Sequence, residues 1–182
     1  MSSKLWEVQY VVPLTLVLIS VLLFMSFRSF AEPIIIMGTF PLGLVGGVWL
    51  LYAYDFNFSI AVGVGFIALA GIAVETAVIM LVYLNQSWKD LHERVNEGNA
   101  ELTKETVSLA VLDGATLRVR PVLMTAGADI AGLLPILYST GTGSEVMSRL
   151  SAPMVGGMVT AIALTLLIVP TVYMMWKMKA LE

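Results

Sequence analysis

The chain has 182 residues, of which 58% are hydrophobic and 13% are charged, and its formal net charge is −3 at pH 7. Soluble domains carry about 25% charged residues, so this composition excludes an ordinary water-soluble protein and predicts an all-α membrane protein. The chain has no cysteine and a single histidine, which excludes disulfides, thiolate metal sites and a histidine-rich metal cage.

Five apolar stretches predict five membrane-spanning helices, because a span needs about 20 mostly apolar residues. They lie between Glu7 and Arg28, between Glu32 and Asp55, at 58–84, at 121–138, and between Arg149 and Lys177. The charges inside them are Glu75 in the third stretch and Asp129 in the fourth. The predicted organisation is a periplasmic lead-in at 1–10, three spans within 11–84, a connector at 85–120, two spans within 121–176 and a tail at 177–182.

Prolines and small residues refine this prediction. Three prolines are expected at or near the first turn of a span, where a missing N–H costs nothing, namely Pro33, Pro121 and Pro153. Small residues four positions apart allow close approach of helix backbones and predict packing contacts. These pairs are Gly43 and Gly47, Ala128 and Gly132, and Ala152 and Gly156.

The polar segment 85–120 holds half of the basic residues of the chain. Its interspersed apolar residues predict an amphipathic helix, either lying along the membrane surface or forming an ordinary solvated connector. Because the connections of five spans alternate sides, one side collects eight of the ten lysines and arginines, Arg28 among them. The positive-inside rule places the connector and the C-terminus in the cytoplasm and the N-terminus in the periplasm.

Four ordered motifs carry a resemblance to a known family: GFIALAGIAVETAVIMLVYL, LDGATLRVRPVLMTAG, AGLLPILYSTGTGSEVMSRLSAPMVGGMVTA and IVPTVY. They resemble the end of the RND (resistance–nodulation–division) efflux pumps, in particular the heavy-metal branch that exports copper and silver or cobalt, zinc and cadmium. The resemblance implies that the five helices are similar to the last five of twelve spans. It also implies that seven spans and the periplasmic porter domain of such a pump lie outside this chain.

Glu75 is the first candidate site residue. A charge at mid-bilayer costs roughly 2.5–3.5 kcal/mol on insertion scales, so such residues usually face the bundle interior and have a function. The alternative is a structural polar contact. The resemblance implies that Glu75 is the glutamate of a proton relay, at a position where drug-exporting members carry a lysine.

The resemblance adds Arg118 and Thr125 to the relay, because RVRPVLMT matches the start of the eleventh span of the family. Arg118 would pair with a deprotonated carboxylate, and Thr125 would carry a hydrogen-bonded water or proton. From the residues alone, Arg118 reads as a cytoplasmic topology anchor and Thr125 as a helix-packing hydroxyl.

Asp129 departs from the family pattern. Metal exporters commonly read RPK where this chain reads RPV, so Val122 cannot carry a charge, and Asp129 stands where relatives have an apolar residue. Counting the helical rise from Leu84 and from Pro121 puts Glu75 and Asp129 roughly 13 and 12 Å deep, so the two carboxylates could meet. We expect Asp129 to be an added or rewired relay group, with drift in a chain no longer under selection as the alternative.

Methionine is the remaining candidate for chemistry, because its thioether is a soft ligand that suits Cu(I) and Ag(I). Most of the eleven methionines are expected to fill gaps in the packing. Met147, in the metal-branch motif GTGSEVM at the expected periplasmic mouth of the last span, is the candidate metal ligand.

The sequence therefore predicts a secondary active transporter, not an enzyme: the C-terminal membrane part of a proton-driven heavy-metal efflux pump of the bacterial inner membrane. No permanently bound cofactor is expected, and the transported species are a metal ion and protons. The resemblance implies as partners the lipid bilayer, the rest of the pump in a homotrimer, a periplasmic adaptor and an outer-membrane channel, and no nucleic acid. The alternatives are a drug- or lipid-exporting member of the same superfamily and an inactive truncated fragment or scaffold.

Overall fold

A computed structural model describes residues 2–27, 31–99 and 101–179, and every regular element within those ranges is an α-helix. The helices are α1 (Ser2–Phe27), α2 (Ala31–Ala53), α3 (Ile60–Asn96), α4 (Lys104–Leu137) and α5 (Ser144–Lys179). The all-helical prediction is confirmed. Arg28, which was counted for the orientation, and positions 180–182 of the predicted tail lie outside the described residues.

Four of the described helices, α2 to α5, are long and apolar enough to cross a membrane. In α1 the comparable apolar stretch is the shorter Pro13–Met25. This stretch is shorter than the roughly 20 residues that are needed to cross a bilayer core. The apolar part of α1 is therefore shorter than a typical membrane span, unlike those of the other four helices.

The chain divides into two compact units, Met1–Ile35 and Ile36–Glu182. In the first unit, α1 and the start of α2 are helical, and the helical residues 2–10 show that the predicted lead-in is the beginning of α1. The second unit contains the rest of α2 and all of α3, α4 and α5. It holds every predicted relay residue.

Short connections make consecutive helices of the second unit antiparallel. The connection after α2 turns at Asp55, whose φ of 53° is left-handed, and the Phe56 amide donates to the Leu51 carbonyl at 3.0 Å. Gly98 makes the equivalent turn after α3 with a φ of 76°. A left-handed residue that satisfies the last carbonyls is the usual way in which a helix ends.

Close packing within this unit depends on small residues. A Cβ added at Gly47 would lie 2.7 Å from the Phe66 ring and 2.9 Å from the Pro153 carbonyl oxygen. Gly46 of α2 and Gly156 of α5 meet with their backbones in direct contact. The Thr160 hydroxyl donates to the Gly43 carbonyl at 2.9 Å, which ties α5 to α2.

The separate connector helix expected at 85–120 is not formed. Instead, α3 continues unbroken to Asn96 and α4 begins at Lys104, so the segment is a hairpin made of the ends of two long helices. The reason is local: no glycine or proline interrupts the chain between Leu84 and Asn96. The prolines expected at first turns also need correction, since Pro121 and Pro153 lie inside α4 and α5.

Contacts at both ends hold the second unit together. At one end the Tyr54 hydroxyl donates to Tyr138 at 2.8 Å and joins the α2–α3 and α4–α5 connections. This hydrogen bond raises the pKa of Tyr54 above its ordinary value. At the other end the Lys177 ammonium lies 4.9 Å from the Trp88 ring and 4.3 Å from the Trp176 ring, which joins the end of α5 to α3.

Candidate functional site

One face of α4 carries Arg118, Val122, Thr125 and Asp129. Steps of three and four residues bring side chains onto the same face of a helix. The stripe runs roughly 16 Å along the helix axis at a rise of 1.5 Å per residue. The predicted relay residues of α4 therefore form a line along that helix.

The matching face of α3 presents Glu75, together with residues one helical turn to either side. These side chains, the α4 stripe and two residues of α5 enclose a cavity of about 130 Å³. Its lining comprises Ile72, Glu75, Thr76, Ile79, Arg118, Val122, Thr125, Ala126, Asp129, Met158 and Ile162. The structure thus brings Glu75, Arg118, Thr125 and Asp129 to one cavity.

Arg118 contacts α3 through an aromatic ring, and one of its hydrogen-bond donors lacks an acceptor among the described residues. Its guanidinium carbon lies 5.0 Å from the centre of the Tyr83 ring, a cation–π contact between α4 and α3. Its Nε is buried and has no hydrogen-bond partner among the described residues. An unsatisfied buried donor costs free energy, so the site favours an acceptor such as a carboxylate or a water beside Arg118.

Thr125 and Thr76 supply the neutral polar groups. The Thr125 hydroxyl lies 3.1 Å from both the Pro121 and the Val122 carbonyls, to which it donates. The Thr76 hydroxyl donates to the Ile72 carbonyl at 2.8 Å. Each hydroxyl donates its hydrogen bond to a carbonyl of its own helix. Its oxygen therefore remains available to accept a hydrogen bond from water.

Val122, the residue that departs from the family pattern, is only 2% exposed and lines the same cavity. Glu75 is exposed, although the sequence led us to expect it to face the bundle interior, and Thr125 and Asp129 are exposed as well. The physical reason is that three helices leave one side of the cavity open. Both carboxylates line this one cavity.

The other predicted residues lie away from this cavity. Met147, in the first turn of α5, is 55% exposed. Among the described residues, no group of three or more His, Cys, Asp and Glu side chains is placed to hold a metal ion. Gly43 and Gly156 lie at helix contacts like Gly47, whereas a Cβ at Gly132 would meet nothing within 4 Å, so a packing role for Gly132 stays a prediction.

Sequence reasoning did not single out Tyr83 or Thr76, and among the methionines it singled out Met147 and not Met158. Thr76 follows Glu75 directly, so testing each polar neighbour of the glutamate would have found it. Tyr83 is far from Arg118 in the sequence, and only the packing of α3 against α4 reveals their contact.

A bundle of membrane-length helices around a cavity lined by two carboxylates and an arginine defines a class, the helical membrane proteins with charged residues inside their spans. The sequence model of the AcrB/AcrD/AcrF family matches residues 2–177 of this chain. The chain therefore belongs to the AcrB/AcrD/AcrF family.

Two similar proteins indicate which branch of this family the chain resembles. The chain is 47% identical over 171 residues to "Cation efflux system protein CusA" of Escherichia coli (strain K12), an alignment that covers 93% of this chain and 16% of that protein. It is 35% identical over 173 residues to "Cobalt-zinc-cadmium resistance protein CzcA" of Cupriavidus metallidurans, covering 95% of this chain and 15% of that protein.

Solved structures agree with these relatives. The X-ray crystal structure of a heavy metal efflux pump superposes with a TM-score of 0.79 at 34% identity, covering 97% of this chain and 16% of that chain. The resemblance to the heavy-metal efflux branch is thus confirmed. The chain spans about one sixth of the length of the relatives it matches.

Proposed function

We propose that this chain is the C-terminal membrane part of a proton-driven heavy-metal efflux transporter and that its cavity carries part of the proton relay. The observation that carries this proposal is that Glu75, Arg118, Thr125 and Asp129 line one small cavity. A carboxylate accepts hydrogen bonds when it is ionised and donates one when it is protonated, so both acids have the chemistry that a proton relay requires. Arg118 would stabilise the deprotonated state.

Coupling to export would follow from this charge change. When the carboxylates lose their protons, Arg118 gains acceptors for its unpartnered Nε, and α3 and α4 are drawn together; protonation releases them. Such a protonation-biased pair of helices is a two-state element of the kind that drives larger rearrangements. The porter domain that moves the metal lies outside this chain in the proposal.

The proposal includes the membrane, the orientation and the assembly of the chain. It lies in the bacterial inner membrane with the Tyr54–Tyr138 end toward the periplasm and the Lys177 end in the cytoplasm. The rest of the pump, assembled as a homotrimer with an adaptor and an outer-membrane channel, completes the transporter. Met147, on the periplasmic side in this orientation, is proposed as a ligand on the metal path. The names of the relatives favour a metal cation as cargo, with cobalt, zinc and cadmium named for one of them, and the resemblance in sequence adds copper and silver.

The test uses Glu75→Gln and Asp129→Asn in the complete reading frame that carries this chain, expressed in a metal-sensitive bacterium. Glu75→Gln removes the titratable group but keeps the side-chain size, and it is expected to abolish tolerance to the exported metal. Asp129→Asn is expected to lower it. Purified protein in proteoliposomes should lose metal-triggered proton flux, followed with an internal pH dye, in the same order.

Glu145→Gln is the matched control, because Glu145 is an exposed carboxylate at the start of α5 outside the cavity. It should leave both tolerance and proton flux unchanged. Full activity of Asp129→Asn would remove Asp129 from the relay, and full activity of Glu75→Gln would overturn the proposal. Tolerance to drugs in place of metals would favour a drug exporter, and no effect of any variant on any substrate would favour a scaffold.

A further inference from the structure

A second opening adjoins the cavity that Glu75, Arg118, Thr125 and Asp129 line, which is called the relay cavity from here on. This second opening is a wider groove of about 410 Å³ between α3, α4 and α5, lined by Ile72, Ala128, Asp129, Gly132, Leu133 and Met154. Ile72 and Asp129 line both the groove and the relay cavity. The two spaces are therefore neighbours that share these two side chains as a common wall.

Of the two shared side chains, only that of Asp129 can accept and release a proton. The described residues that line the groove include no other charged side chain, whereas the relay cavity adds Glu75 and Arg118. The contribution of α5 to both spaces is apolar and consists of Met154, Met158 and Ile162. A proton that passes between the spaces by way of a side chain therefore passes by way of Asp129.

The order of residues along α4 gives the route a direction. The groove lies along 128–133, toward Leu137 and the Tyr54–Tyr138 end of the bundle. The relay cavity extends from Asp129 back to Arg118, toward the Lys177 end. A proton arriving from the Tyr54–Tyr138 end meets the groove first and the relay cavity second.

We propose, resting on the function proposed above, that Asp129 is the first proton acceptor of the relay and that the groove beside Gly132 is its water access. The Asp129 carboxylate takes a proton from a hydronium ion in the groove, which leaves a neutral water, and then gives this proton to a water in the relay cavity. The hydronium ion formed there passes the proton to the Glu75 carboxylate, so that Asp129 and the waters return to their starting state and Glu75 becomes a carboxylic acid. Gly132 lines the groove and an added Cβ would meet nothing within 4 Å, so a larger side chain at position 132 has room to extend into the groove.

The absence of cysteine makes this route measurable, since a single introduced thiol is unique in the chain. Ala126 lines the relay cavity and accepts the small change Ala126→Cys. In membrane vesicles of either orientation, the thiol is exposed to a membrane-impermeant methanethiosulfonate that reacts only where water reaches. We expect modification from the Tyr54–Tyr138 side, slowed several-fold when Gly132→Leu is added.

Gly127→Leu is the matched control, because Gly127 also has open space around it on α4 but lines neither cavity. It should leave the rate unchanged, and Gly132→Val gives a smaller plug should leucine impair assembly. Modification from the opposite side, or equal slowing by Gly127→Leu, would overturn the route.

A third variant separates access from proton transfer. Asp129→Asn keeps the size of the side chain, so thiol modification at position 126 should persist while metal-triggered proton flux falls. Unchanged flux would overturn the role of Asp129 as first acceptor. Modification does not depend on transport, so the water route holds even if Glu75→Gln leaves metal tolerance intact and the proposed function fails.

Discussion

At the scale of single residues, the relay cavity is lined by more acidic than basic side chains. Glu75 and Asp129 contribute two carboxylates, and Arg118 contributes one permanent cation. The position where metal exporters commonly carry a lysine is filled by buried Val122. Compared with the pattern that the resemblance implies, this cavity lacks a lysine at position 122 and has an additional carboxylate at Asp129, on the same face of α4 and within two helical turns.

This exchange predicts a compensation between positions 122 and 129. Asp129→Asn alone should lower metal-triggered proton flux, and adding Val122→Lys should restore part of it. The physical reason is that a lysine in a partly buried site gains and loses its proton readily, which would replace the titratable group removed at Asp129. The measurement is proton flux in proteoliposomes for the two single variants and the double variant.

Val122→Met controls for volume without adding charge, and it should rescue nothing. Equal rescue by methionine would show that packing, not ionisation, decides the effect. Failure of Val122→Lys to rescue, with the protein correctly assembled, would indicate that Asp129 does not substitute for the lysine.

At the scale of elements, glycine contacts decide how α2 meets α5. Gly46 and Gly156 allow the two backbones to touch, and the Thr160 hydroxyl then reaches the Gly43 carbonyl. Helix association in a membrane depends on such close van der Waals packing and on hydrogen bonds between helices. The same packing positions Met158 of α5 against the relay cavity, so the α2–α5 contact supports the site indirectly.

Gly46→Leu is expected to separate α2 from α5, because the added side chain meets the Gly156 carbonyl and Thr160 at once. Overpacking of this kind costs about 1–3 kcal/mol. The measurement is thermal unfolding of the purified protein in detergent. Gly38→Leu, on the same helix but with nothing within 4 Å of an added Cβ, should leave the unfolding temperature nearly unchanged. An equal effect of both changes would contradict the packing explanation.

At the scale of the whole molecule, the second unit has two chemically different ends. The Tyr54–Tyr138 end gathers the two short connections, and the opposite end gathers the α3–α4 hairpin and Lys177 with its ring partners. Tryptophan and lysine side chains concentrate at membrane–water interfaces, so Trp88, Trp176 and Lys177 indicate where one interface lies.

The basic residues of the hairpin and tail predict that this end is cytoplasmic. A fluorescent protein fused after Glu182 should fold and fluoresce in bacteria, and alkaline phosphatase at the same point should be inactive. The two reporters inserted at Gly141, in the α4–α5 connection, should give the reverse result. The opposite pattern at both points would invert the orientation and with it the direction of the proposed proton route.

The sequence by itself determined that the chain is a helical membrane protein, and it named the candidate residues Glu75, Arg118, Thr125 and Asp129. Apolar stretches of membrane length predict helices, since a backbone in hydrocarbon must satisfy its own hydrogen bonds, and this pattern is independent of tertiary contacts. Glu75 and Asp129 stand out for the same reason, as charges in an apolar setting. Their similar depth followed from the regular rise of a helix.

Only the tertiary structure decided how far α3 and α4 extend beyond the apolar stretches, because polar residues are as compatible with a long helix as with a separate one. It also decided that Arg118 rests on Tyr83 and that Asp129 borders two cavities. These facts depend on the rotation of each helix about its axis, which is set by contacts between residues distant in the sequence. No local pattern encodes that rotation, so the candidate residues could be named one by one from the sequence, while the cavity that they line could not.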